Sequence, residues 1–153
     1  MTNTNATDAL IDAIYAFIPK TLDDLIKQHR DVASLHLSTD EEIFDLYAAV
    51  TPGTYLDIID DWRLISLRLE RAVISETLTF LLGIRRSNGN VRITSDIVKL
   101  DLDRGLVVTK SGSLYKLGTK GEGEPQFEGL VMICSAFHDW GFGPAFGTPK
   151  FSL

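Results

Sequence analysis

Closely spaced glycine turns between residues 88 and 112 constrain the fold of this 153-residue chain more than any other feature. The turns are Asn88-Gly89, Asp103-Arg104-Gly105 and Ser111-Gly112, and they punctuate the runs Val91–Thr94, Ile97–Leu102, Leu106–Lys110 and Ser113–Leu117. Asn-Gly favours a tight β-hairpin turn, since both residues tolerate positive φ. Short β-branched runs between such turns are typical of strands. We therefore predict an antiparallel β-meander over about residues 84–118.

The run Ile97–Leu102 alternates in polarity. Its apolar residues are Val98, Leu100 and Leu102, whereas Lys99, Asp101 and Asp103 occupy the alternate positions. Successive side chains of a strand point to opposite faces of the sheet. The alternation predicts a sheet with one buried face and one solvated face.

The N-terminal half has helical periodicity instead. A first helix is predicted over residues 8–17, capped by Thr7 and ended by Pro19. Thr21 and Asp24 resemble a capping box that opens a second helix to about residue 33. Thr39 and Glu42 form a clearer box that opens a third helix through residue 50.

The segment after Thr54 is ambiguous. Its apolar residues recur at helical spacing: Tyr55, Ile58, Ile59, Trp62, Ile65, Leu69 and Val73. This spacing predicts a long helix from Thr54 to about Leu82, stopped by Gly83. The alternation of Ile65 with Leu67 and the β-branched residues after Val73 keep open a strand that begins near Leu78.

The C-terminal part is predicted to close the fold. Pro125 suits the first turn of a helix over residues 126–140, and an aromatic tail to residue 153 follows it. We predict an α+β fold in one domain, residues 1–153. It comprises an N-terminal helical bundle (about 7–83), packed on a C-terminal antiparallel β-meander (about 84–118), with a closing C-terminal helix and tail (125–153).

Composition points to a reducing compartment. The chain has one cysteine, Cys134, which excludes an intramolecular disulfide and a cysteine-based zinc site. No stretch approaches 18 consecutive apolar residues, so no membrane-spanning helix is predicted. The N-terminus lacks the basic and apolar regions of a secretory signal. We therefore expect a cytoplasmic location and no membrane partner.

One pair of residues near the C-terminal end of the predicted last helix resembles a catalytic arrangement. Cys134 and His138 lie one helical turn apart with Asp139 adjacent, which gives the alternative hypothesis of a small hydrolase or transferase that uses His138 with Cys134 or Asp139. A buried thiol in the apolar stripe is the preferred interpretation of Cys134. The glycine-rich loop 118–123 lacks the P-loop spacing, and the histidines show no metal-ligand spacing. We predict no cofactor and no metal.

Charge is segregated along the sequence. Residues 1–83 hold 14 Asp and Glu against 6 Lys and Arg, whereas residues 84–120 hold 8 bases against 3 acids. Such segregation bears on partners rather than on fold. The predicted binding residues are the acids Asp60 and Asp61 and the bases Lys99, Arg104, Lys110 and Lys116.

The preferred function is accordingly a non-enzymatic binding or regulatory protein that acts through a charged protein-binding surface. The stretch 109–125 is typical of small accessory proteins of bacteria or phages and other mobile elements. A second alternative is a nucleic-acid-binding module that uses the basic face of the meander, although no recognition motif accompanies those bases. The aromatic tail is compatible with a homo-oligomer as well as with a monomer.

Overall fold

The structure is a computed structural model that describes residues 19–70 and 75–140. In these ranges it has seven strands and two α-helices. The strands are β1 (Ala33–Leu37), β2 (Ile58–Glu70), β3 (Ser75–Arg85), β4 (Val91–Ile93), β5 (Ile97–Asp101), β6 (Leu106–Thr109) and β7 (Leu114–Leu117), and the helices are α1 (Asp40–Leu46) and α2 (Phe127–Asp139). The first helix predicted from the sequence, and the aromatic tail, lie outside the described residues.

One sheet joins strands from both halves of the chain, in the order β4-β3-β2-β7-β6-β5. The long strand β2 is its centre, and one edge of β2 pairs antiparallel with β3. Its other edge is shared: β7 runs parallel to residues 58–59, and β1 runs antiparallel to residues 65–69. Because β4 and β5 are consecutive in sequence but lie at opposite ends of the order, the sheet curves back on itself.

The predicted N-terminal helical bundle is wrong for the part of the chain that the structure describes. Most of the segment predicted as a long helix over 54–82 lies in the paired strands β2 and β3. The predicted second helix is reduced to the 3-10 turns Asp23–Leu25 and Lys27–His29, and the chain then enters β1. Short helices depend on tertiary packing for most of their stability, and pairing with β2 here outweighs the local helical preference.

The capping box at Thr39 is confirmed. The Thr39 hydroxyl accepts from the Glu42 backbone N–H at 3.2 Å, and the Glu42 carboxylate accepts from the Thr39 N–H at 2.8 Å. The helix that it opens, α1, is shorter than predicted, because Tyr47 has extended backbone angles and bridges to Leu100 of β5.

The meander consists of β5, β6 and β7, which pair in sequence order. The first of the four strands predicted for the meander, now β4, pairs with β3 instead. The prediction of alternating faces in β5 is wrong, because a bulge between Ile97 and Lys99 interrupts the register. Asp101 is 1% exposed, whereas Val98 is 45% exposed, which reverses the predicted burial of these two positions.

Apolar side chains pack on both faces of the sheet. The larger cluster joins β1, β2 and β3 to α2, where Phe80 of β3 meets Phe137 of α2 at a ring-centroid distance of 6.3 Å. The smaller cluster lies among β2, β3 and the meander, with Ile43 and Leu46 of α1 packed against it. A strand that is buried on both faces has apolar residues at odd and even positions alike.

A bulge in β2 interrupts its pairing with β3 between Asp60 and Arg63. Gly83 of β3 lies opposite this bulge. A Cβ atom at Gly83 would lie 2.3 Å from Cγ2 of Ile59 and 2.7 Å from the backbone oxygen of Asp60. The close approach of the two strands at the bulge therefore requires glycine at position 83.

We expect Gly83→Ala to lower the free energy of unfolding by roughly 1–3 kcal/mol, because the added methyl group overpacks the contact between the strands. Urea denaturation measures the change. Gly53→Ala is the matched control, since its Cβ would meet only Cδ2 of Leu114 at 3.8 Å, an ordinary contact. Equal stability of the two variants would contradict the proposed role of Gly83.

Candidate functional site

A cleft of about 490 Å³ lies between α1, the bulge of β2 and residues 120–123. We call it the Trp62 cleft and define it by six of the residues that line it: Asp40, Phe44, Tyr47, Trp62, Lys120 and Glu122. Three of these residues are aromatic and two are acidic. The volume lies in the range of known ligand pockets.

The bulge of β2 directs Trp62 toward this cleft. Asp61 has a φ of 50°, a left-handed conformation that is uncommon for residues other than glycine. Bulges re-aim the side chains of a strand. The indole Nε1 of Trp62 donates to the backbone oxygen of Gly118 at 3.1 Å, and the Trp62 N–H donates to the backbone oxygen of Thr119 at 3.1 Å. These bonds fix the orientation of the ring.

Arg63, the residue after Trp62, holds in place the loop whose residues 120–123 line the cleft. Its Nε donates to the backbone oxygen of Gly123 at 2.8 Å, and its Nη2 donates to that of Glu122 at 2.7 Å. Its Nη1 donates to the Asp61 carboxylate at 3.0 Å. These bonds hold the glycine-rich loop in a fixed position. The loop passes so close to the guanidinium that a Cβ atom at Gly121 would lie only 2.6 Å from Nη1.

The two predicted acidic binding residues, Asp60 and Asp61, help to hold this loop and Arg63 in place. The Asp60 carboxylate accepts from Nε and Nη2 of Arg86 at 2.8 and 2.7 Å, and from the Thr119 N–H at 3.0 Å. The bonds from Arg86, and next that from Thr119, hold the pKa of Asp60 well below its usual range. Asp61 pairs with Arg63. Direct contact of either acid with a partner stays a prediction.

The predicted basic residues lie on the meander, and none of them lines the Trp62 cleft. Lys99, Lys110 and Lys116 are exposed, and the Lys116 ammonium lies 5.8 Å from the ring centroid of Tyr55. Arg104 differs from them because its Nη1 pairs with the Asp101 carboxylate at 3.0 Å. Nucleic-acid binding by this face stays a prediction.

Sequence reasoning missed the structural role of two buried aspartates. The Asp57 carboxylate binds the hydroxyl and N–H of Ser87 and, at 2.9 Å, Nε of Arg85. These bonds, that from the Ser87 hydroxyl foremost, lower the pKa of Asp57 to about 2. The Asp101 carboxylate accepts from the Val50 N–H at 2.9 Å, which lowers its pKa, and this bond ties the segment after α1 to β5. Neither residue belongs to a sequence motif.

Cys134 lies within the larger apolar cluster and is 0% exposed. Burial raises the pKa of its thiol to about 12, so the thiol stays protonated at neutral pH. A thiolate is the nucleophilic form of cysteine, and this environment therefore disfavours the Cys134 version of the hydrolase hypothesis. His138 is partly buried and Asp139 is exposed near the end of α2. Residues 19–70 and 75–140 contain no group of three potential metal ligands.

Comparison of the chain with protein-family models, curated proteins and solved structures finds no significant match in any of the three. No helix in the described ranges is long and apolar enough to cross a membrane. The geometry of the Trp62 cleft is therefore the basis for a functional proposal.

The lowered pKa of Asp57 predicts a dependence of stability on pH. Its pKa falls from an ordinary 3.8 to about 2 on folding, so the carboxylate stabilises the fold above pH 3.8 and loses this contribution as the pH falls toward 2. We expect Asp57→Asn to be less stable than the native chain at pH 7, with a gap that narrows between pH 4 and pH 2. Thermal unfolding across that range tests this, and a gap that is independent of pH would contradict it.

Burial of Cys134 predicts an unreactive thiol. We expect iodoacetamide to leave the native protein unmodified at pH 8, whereas the urea-unfolded chain is alkylated at the rate of an ordinary cysteine. Mass spectrometry over time measures both rates. Rapid alkylation of the native chain would show an accessible thiolate and restore the thiol version of the hydrolase hypothesis.

Proposed function

We propose that this chain is a binding protein that recognises a basic segment of a partner protein in the Trp62 cleft. The observation that carries the proposal is the combination of exposed aromatic rings with uncompensated carboxylates on one concave surface. Phe44 is 77% exposed and Tyr47 is 47% exposed. Asp40 and Glu122 make no ion pair with any residue in the described ranges.

Exposed aromatic residues in a concave surface support partner binding. Large aromatic side chains are enriched at protein interfaces, where they provide much of the binding energy. The Phe44 ring is largely exposed at the cleft, whereas its neighbour Ile43 packs against the smaller apolar cluster. Folding of the described residues leaves the Phe44 ring largely uncovered, so a partner can bury it.

The charge of the cleft favours a basic partner. Helix α1 carries Asp40, Glu41, Glu42 and Asp45 and no basic residue. The guanidinium of Arg63 is compensated by Asp61, which leaves Lys120 as the cation among the lining residues that has no acidic partner in the described structure. Complementary charge steers association and selects partners. The carboxylates at the edge of the cleft therefore attract a basic segment.

The rigid wall of the cleft also supports a binding role. Arg63 and Asp60 fix the loop 118–123 through hydrogen bonds to its backbone. A surface that is ordered before binding loses less conformational entropy when a partner docks. The strained Asp61 is consistent with this role, since strained residues cluster at functional sites.

A fluorescein-labelled peptide of four Lys-Gly repeats tests the proposal. We expect saturable binding to the native chain at low salt, measured by fluorescence anisotropy. The double variant Asp40→Asn with Glu122→Gln should bind roughly 3–10-fold more weakly, because each exposed charge pair contributes about 0.2–1 kcal/mol. The affinity should also fall as salt screens the charges.

The triple variant Lys99→Gln, Lys110→Gln and Lys116→Gln is the matched control. It changes charge on the meander and leaves the Trp62 cleft intact, so it should bind the peptide at least as well as the native chain. Circular dichroism and thermal unfolding verify that all variants are folded. Undiminished binding by the double variant, or absence of any binding by the native chain, would refute the proposal.

A further inference from the structure

A lysine of the chain itself occupies the face of Trp62. The Lys120 ammonium lies 5.8 Å from the ring centroid, within the range of a cation–π interaction. The indole is partly buried and its Nε1 is bonded to Gly118, so the ring is a fixed platform. In the free protein, this face of the indole is thus in contact with an alkylammonium group.

The backbone on both sides of Lys120 is hydrogen-bonded to Trp62 of β2. The Gly121 N–H donates to the Trp62 backbone oxygen at 2.9 Å, and the Trp62 N–H donates to that of Thr119. The Lys120 side chain is exposed and forms no ion pair with the described residues. An exposed cation–π contact contributes about a factor of two to five in an equilibrium. The ammonium can therefore leave the ring without disturbing the loop.

Space for an incoming group exists between the aromatic walls. Phe44, Tyr47 and Trp62 all line the cleft, and no ring contact joins any two of them in the described structure. The hydroxyl of Tyr47 donates to the Asp103 carboxylate, which orients the phenol. Aromatic walls with acidic groups nearby are the arrangement that binds ammonium ligands elsewhere.

We propose that a lysine of the partner's basic segment enters the Trp62 cleft and places its ammonium on Trp62 in place of Lys120. Lys120 is then an internal competitor that occupies the ring in the free protein. The choice of lysine over arginine follows from the resident group, which is itself an ammonium. The inference rests on the proposed function and adds the chemical group that the partner inserts.

The fluorescence of Trp62 can report whether a peptide lysine lies on its ring. The chain has two tryptophans, so Trp140→Phe leaves Trp62 as the single indole fluorophore. Three peptides of four Lys-Gly repeats are compared: unmodified, acetylated at each Nε, and trimethylated at each Nε. Acetylation removes the charge, whereas trimethylation keeps the charge and removes the N–H donors. We expect the unmodified and trimethylated peptides to change Trp62 emission, and the acetylated peptide to bind at least about 10-fold more weakly.

Replacement of Lys120, the internal competitor, should increase the affinity for the peptide. We expect Lys120→Gln to bind the unmodified peptide roughly 3–10-fold more tightly, since it removes both a repulsive charge and the resident cation. Trp62→Leu should weaken binding by a similar factor. Lys120→Gln leaves the backbone contacts of the loop unchanged, so its result stands even where Trp62→Leu fails to fold. A gain smaller than that of Lys116→Gln, a control of equal charge, would overturn the inference.

The failure of this inference is distinguishable from failure of the proposed function. Peptide binding that depends on Asp40 and Glu122 but leaves Trp62 emission and the Lys120→Gln affinity unchanged retains the protein-binding proposal and refutes lysine insertion. Equal binding of the acetylated peptide refutes both proposals, because each of them requires the positive charge of the peptide lysines. Absence of binding by every peptide refutes both proposals.

Discussion

The bulge in β2 is the constraint on which the candidate site depends. It permits Trp62 to face the cleft and places the following residue, Arg63, where its guanidinium binds the loop 121–123. It also requires the left-handed backbone of Asp61 and the absence of a side chain at Gly83. Backbone strain at one residue is thus compensated by hydrogen bonds from its neighbours, and the result is a fixed aromatic surface.

The same bulge explains why the sequence indicated a helix over 54–82. Ile59 packs in the smaller apolar cluster, and regular alternation would place residues 61 and 63 on that face. The extra residue of the bulge moves Trp62 and Leu64 to it instead. Apolar spacing of three between Ile59 and Trp62 then imitates one helical turn. Ile65 packs on the opposite face, so the burial of both faces of β2 completes the imitation.

Local signals were reliable where local interactions decide the structure. The capping box at Thr39 and the turn at Gly105 need only neighbouring residues, and α2 needs one apolar stripe against the sheet. The pairing of β1 with β2 joins residues 28 to 36 positions apart, which no local pattern encodes. The cleft was missed for the same reason. Phe44 and Trp62 belong to two separate predicted helices, and only the sheet brings their segments to one concave surface.

The segregated charge of the sequence acquires a physical explanation from the fold. Two acids of the N-terminal half bind bases of the C-terminal half, as Asp57 binds Arg85 and Asp60 binds Arg86. These two pairs hold the start of β2 to the end of β3, and each neutralises one acid and one base. The acids of α1 have no comparable basic partners among the described residues apart from the His36 contact of Glu42. Helix α1, which lines the Trp62 cleft, therefore presents acidic side chains that a basic partner can neutralise.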